Sequence, residues 1–211
     1  MTRITRLNQM FDALKQSQKK RLVAAYANDS HTIEAVNAAV EKGIVDGILV
    51  GDETVIRTVC GEENIAVEKF QIVHEPNGPA AAAKAVAMIN AGDGDVLMKG
   101  LVGTDQYMRA ILNKEHGLLD PGAILSHVTV IENPNYHKLM IVGDVAVLPE
   151  PDLKQKIAIV NYLVHTAQNA EGIHGHRQGL GARNVDAAEV HARLLAGRAP
   201  LALHPVAMQV H

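Results

Sequence analysis

Residues 95–109 read DVLMKGLVGTDQYMR, and the fold turns on how that stretch is parsed. Val96, Leu97 and Met98 form a short apolar run, the signature of a buried strand. It stops at Lys99-Gly100, a charge and a flexible residue where a strand emerges from a sheet. Met108, Ile111 and Leu112 then recur at i, i+3 and i+4, the spacing of a helix. Thr104 is expected to cap that helix, because its hydroxyl can accept from a free backbone N–H. The parse is strand, glycine-containing turn, helix. In parallel α/β sheets, ligands bind at the carboxyl ends of strands, and helix N-termini there favour anions. Lys99 and Arg109 set two positive charges about the turn. Arg109 follows the expected cap by about one and a half turns, within reach of the helix mouth. Two readings fit this spacing. One is a phosphate-type anion site built on Lys99, Gly100, Thr104 and Arg109; the other is a solvated Lys99 with Arg109 pairing Asp105 at i, i+4.

The glycines match no nucleotide fingerprint. Gly-x-Gly-x-x-Gly is absent, and from Gly94 to Gly100 the lysine precedes the second glycine, the wrong order for a triphosphate loop.

Upstream, the same alternation of strand and helix repeats. Ile4, Leu7, Phe11 and Leu14 mark an amphipathic first helix. LVAAYA is a buried strand; Asn28, Asp29 and Ser30 turn the chain into a helix carrying Ile33, Val36 and Val40, which Gly43 ends. DGILVGD and FQIVHEP are further strands, each followed by a helix. The spacing predicts a parallel sheet with strands near 22–27, 46–50, 70–74 and 96–99 and helices on both faces.

After Gly117 the pattern changes. AILSHVTVIEN and HKLMIVGDVAVLPE are strand-like runs joined by Pro134-Asn135-Tyr136, short enough for an antiparallel hairpin over 124–147. Either the sheet is mixed or a second domain begins near Gly122. Asp152 with Gln155 makes a capping box for a helix bearing Leu153, Ile157, Val160 and Val164. Residues 173–211 carry four arginines, no lysine, five histidines and no aromatic residue, which predicts a poorly ordered tail. His174-x-His176 has no acidic or cysteine partner spaced nearby, so no metal site is expected. The domains are read as 1–122, 123–172 and the tail 173–211.

With 211 residues, 47% of them hydrophobic, a sizeable core is expected. A net charge of −3 and 3% aromatic residues argue against nucleic-acid binding. The single cysteine, Cys60, forms no intramolecular disulfide, fits a reducing cytoplasm and reads as a buried structural thiol. No signal core opens the chain, and no apolar run has the length of a membrane span.

Four stretches resemble the phosphate acetyl/butyryl transferase family, most closely its butyryl-transferring members: EKGIVDGILVGD, DVLMKGLVGTDQYMRAILNKEHGL, AILSHVTVIENPNYHKLMIVGDVAV and PDLKQKIAIVNYLV. They lie within residues 20–168. The resemblance implies an isocitrate/isopropylmalate dehydrogenase-like fold: a three-layer αβα arrangement with a mostly parallel sheet, an antiparallel hairpin and a cleft between two domains. It implies acyl transfer between coenzyme A and inorganic phosphate, with coenzyme A as a substrate, no cofactor, and a homo-oligomeric assembly. Lys99, Gly100, Thr104 and Arg109 would border the cleft, with Arg109 on phosphate. Ser126 and His127 would come from the second domain's first strand, and Asp144 would end the next.

The chemistry fits that cast. Arginine holds phosphate bidentately. Ser126 or Lys99 can donate to a tetrahedral oxyanion. His127 is the titratable neighbour for a thiolate leaving group, or else a strand histidine bonded to a backbone carbonyl. Asp144 fits a turn former better than a base. The family's Ser-Arg-Gly-Asp segment is missing, which leads to the expectation of a truncated or frameshifted member with weak or no turnover. Two alternatives follow: an inactive remnant that only binds phosphate or acyl-CoA, and a metal- and NAD-dependent hydroxyacid dehydrogenase of related fold.

Overall fold

A computed structural model of the chain describes residues 4–172. The expectation for the tail therefore lies outside the described residues. Helix α1 spans Leu7–Leu14, strand β1 Lys20–Ala25, α2 Ser30–Glu41, β2 Val45–Gly51, α3 Glu53–Glu62, β3 Phe70–His74, α4 Gly78–Asn90, β4 Val96–Lys99 and α5 Thr104–Ile111. The four strands form one parallel sheet in the order β3-β2-β1-β4, with Val23 aligned between Ile48 and Leu97.

Side chains alternate across these strands. Val23, Ala25, Ile48 and Val50 pack on α4 through Ala81 and Ala85. Ala24 and Leu49 face the other way, onto Ile33 and Val36 of α2, Ile56 and Cys60 of α3, and Phe70. α5 packs beside α4, and its Tyr107 lies against the α4-side cluster. The result is three layers, as the alternation of elements predicted.

Helix boundaries follow local chemistry. The Thr32 N–H donates to Asp29 at 2.9 Å, and the Ala80 N–H to Asn77 at 3.0 Å. Asp52 accepts from the Thr54 N–H at 2.9 Å. Gly43, at φ 71°, ends α2 in the left-handed conformation expected past a helix.

The hairpin is smaller than expected. Only β5 (Thr129–Ile131) and β6 (Met140–Val142) pair, antiparallel, and they form a separate two-stranded sheet. Of the two alternatives, the single mixed sheet is not seen. Helix α6 (Leu153–Gly172) packs on β6. Its predicted capping box is formed: the Gln155 N–H donates to Asp152 and the Asp152 N–H to Gln155, both at 2.8 Å. The Tyr162 hydroxyl donates to the Ile124 carbonyl at 2.8 Å. The hairpin also holds the start of α1, where the Leu7 N–H donates to Glu132 at 2.8 Å and Arg6 pairs the same carboxylate at 3.0 Å. No helix among the described residues is long and apolar enough to cross a membrane.

Candidate functional site

At the carboxyl end of β4 the chain stays pinned to β1. The Gly100 N–H donates to the Ala25 carbonyl and the Leu101 N–H to the Tyr26 carbonyl, both at 2.9 Å. A Cβ on Gly100 would stand 2.5 Å from the Tyr26 oxygen and 2.8 Å from that of Ala25, so only glycine lets the turn run this close. Lys99 is exposed, and its ammonium donates to the Gly100 carbonyl at 3.2 Å.

Thr104 is not the cap. Gly103 takes that position with extended backbone, and Thr104 is the first residue of α5. The single-residue shift arises because Gly103 already accepts the first helical bond, from the Tyr107 N–H at 3.0 Å. The first-turn N–H groups of Thr104, Asp105 and Gln106 have no acceptor within the helix by position, so an anion at the turn could use them. Arg109 lies on the last turn, 83% exposed and 4.0 Å from the Asp105 carboxylate. The pair foreseen as the plainer reading is thus the one present. So exposed a pair contributes about 0–1 kcal/mol.

A second constellation forms on the hairpin. Extending the Thr129–Val142 register by two residues sets His127 opposite Asp144, and the His127 N–H donates to Asp144 Oδ2 at 3.4 Å. The His127 ring is exposed, and its Nδ1 lies 3.2 Å from the Thr129 hydroxyl rather than on a backbone carbonyl. Asp144 Oδ1 accepts from the N–H groups of Ala146 at 2.9 Å and Val147 at 2.8 Å. Burial raises the Asp144 carboxyl, but the bonds from Val147, Ala146 and His127 outweigh it and hold the group below the ordinary carboxylate range. Asp144 ties the backbone of Ala146 and Val147 to its own side chain. Ser126 also helps lower that carboxyl, yet among the described residues the buried Ser126 Oγ makes no hydrogen bond of ordinary geometry.

The structure thus brings Ser126, His127 and Asp144 together, and lines Lys99, Gly100, Thr104 and Arg109 along one turn and helix. Among the described residues, no hydrogen bond or ion pair joins the two groups. Two residues at the carboxyl edge of the sheet were not foreseen. Asn28 accepts from the Asp52 N–H at 2.9 Å, and Tyr26 adopts φ 62°. Asn28 sits in a legible Asn-Asp-Ser turn; nothing in the sequence marks Tyr26.

The family described as Phosphate acetyl/butaryl transferase matches residues 6–83 and 79–175. Phosphate butyryltransferase from Clostridium acetobutylicum is 41% identical over 164 residues, 78% of this chain and 54% of that protein. Phosphate acetyltransferase from Rhizobium meliloti is 36% identical over 138 residues, 65% of this chain and 43% of that protein. Among solved structures, a branched-chain phosphotransacylase from Enterococcus faecalis V583 superposes with a TM-score of 0.59 at 24% identity, over 71% of this chain and 51% of that one. That likeness bears on the fold alone. The chain spans about half the length of the curated relatives it matches. None of these relatives favours a dehydrogenase or a binding remnant.

Proposed function

Because the chain belongs to the phosphate acetyl/butyryl transferase family, we propose that it transfers a short acyl group between coenzyme A and inorganic phosphate. The observation that carries this reading is the β4–α5 turn, where Lys99 and the α5 N–H groups stand at the carboxyl edge of a parallel sheet. Phosphate is held there by Lys99, the Gly100 backbone, Thr104 and Arg109, the last released from Asp105. A phosphate oxygen attacks the thioester carbonyl and forms the new C–O bond. The Ser126 hydroxyl donates to the oxyanion, with Lys99 as the second donor. The C–S bond then breaks, and His127 passes a proton to the departing thiolate. Acyl phosphate and coenzyme A are the products. Residues 1–122 and 123–172 act as two lobes facing one cleft, in the manner of the isocitrate/isopropylmalate dehydrogenase-like fold.

The test mixes butyryl-CoA with inorganic phosphate and follows free thiol with a chromogenic disulfide. Phosphate-dependent thiol release is the expected result. Arg109→Ala should raise the phosphate KM by roughly tenfold or more, the value of a lost charged hydrogen bond, and leave the acyl-CoA KM nearly unchanged. Equal rises in both would make Arg109 structural.

A further inference from the structure

Tyr26 stands one residue past β1, in the left-handed region, at φ 62°. Asn64, at φ 55°, shares that sign, but it follows α3, where asparagine takes the conformation readily. A bulky side chain there at a strand end is an outlier, and neither a helix end nor a tight hairpin explains it. Its consequence is local and specific. The Tyr26 carbonyl receives the Leu101 N–H at 2.9 Å. The same oxygen bars any side chain at Gly100. On the other side, ring carbons of Tyr26 lie 3.4 Å from where a Cβ of Gly78 would stand, at the first residue of α4. One residue therefore abuts both the start of α4 and the turn that carries Lys99.

We propose that Tyr26 is a positioning residue for the phosphate substrate: its left-handed backbone aims the carbonyl that fixes the Gly100–Leu101 turn, and so sets Lys99 and the mouth of α5. This rests on the transferase reading above. Strained backbone maintained beside a site is the usual form of such preorganisation.

The test compares three variants of the full chain. Tyr26→Phe keeps both ring and conformation. Tyr26→Val opposes positive φ, because a β-branched residue fits that region poorly. Tyr26→Gly adopts it freely without the ring. In Tyr26→Val the phosphate KM should rise about tenfold and the Leu101 amide should exchange about tenfold faster, the measure of one lost hydrogen bond. The acyl-CoA KM should stay within roughly twofold. Tyr26→Gly should restore the phosphate KM and Leu101 protection towards the parent values, and Tyr26→Phe should match the parent. If Tyr26→Val does not fold, Tyr26→Ala, with a milder left-handed penalty, takes its place against Tyr26→Gly. Valine and glycine variants alike in phosphate KM, or both substrates' KM values rising together, would overturn the proposal. If the parent chain releases no thiol, the transferase reading fails by itself. Protection of the Leu101 amide by inorganic phosphate in the parent and Tyr26→Gly, lost in Tyr26→Val, then still upholds the positioning role; no phosphate protection in any of them overturns it.

Discussion

The four-stranded sheet and the β5–β6 hairpin are held by different physics. In the sheet, Val23, Ala24, Ala25, Leu49 and Val50 are fully buried, with helices against both faces. In the hairpin all six strand residues are only half-buried, and beyond residue 122 the single buried hydrophobic among the described residues is Ile159. Val145 and Leu153 are 60% and 55% exposed there. Two three-residue strands are marginal on their own. Their order rests on polar ties: Glu132 to α1, the Tyr162 hydroxyl to Ile124, and the Asp144 turn. The sheet region is a core with loops attached, whereas the hairpin region is a set of tethers with little buried between them. The proposed anion-binding groups stand on the first, and the proposed oxyanion donor and acid stand on the second.

The largest effect should separate the two by burial. Leu49→Ala should cost about 2–5 kcal/mol in urea unfolding, and Ile141→Ala about 1 kcal/mol. Equal losses would mean that the hairpin has a core as developed as the sheet's.

A smaller effect probes the tethers. Glu132→Gln removes the charge that holds Arg6 and weakens the bond to the Leu7 N–H. Amides of α1, β5 and β6 should then exchange severalfold faster, while those of β1 and β2 keep their rates. Uniform acceleration across the chain would erase the distinction between the two regions.

The smallest effect concerns acid. Arg21 donates through its side chain and its backbone N–H to Asp95, which binds the start of β4 to β1 and holds the Asp95 carboxyl at about 2 against an ordinary 3.8. A depressed carboxyl contributes stability that is complete above its unfolded value and fades as pH falls through its folded one. Thermal melts should therefore show the parent losing stability between about pH 4 and pH 2, with a shallower slope in Asp95→Asn over that window. Identical slopes would remove this clamp from the sheet's account.

Legibility in the sequence follows the same division. Strands β2, β3 and β4 begin within a residue or so of where their apolar runs place them, because burial on both faces leaves few registers open. Asp152 and Gln155 were readable because a capping box is local chemistry. The hairpin runs looked longer than they pair, since alternation marks a strand without saying whether a partner lies alongside. Thr104 misled by one position because Gly103, with no side chain to cap, takes the cap through its backbone. The meeting of His127 with Asp144 follows from a register, and no single strand encodes its register. Tyr26 was invisible because its conformation opposes its residue type.

Cys60 has a use at the bench. It is the chain's one sulfhydryl, 1% exposed on the buried face of α3, and burial pushes its thiol up, away from the reactive thiolate. An assay that counts coenzyme A by disulfide exchange therefore starts from a silent background, with no need to engineer a cysteine-free variant. Any slow colour that grows without substrate reports the opening of α3 from the sheet, so the same cuvette reads turnover and local unfolding on separate clocks.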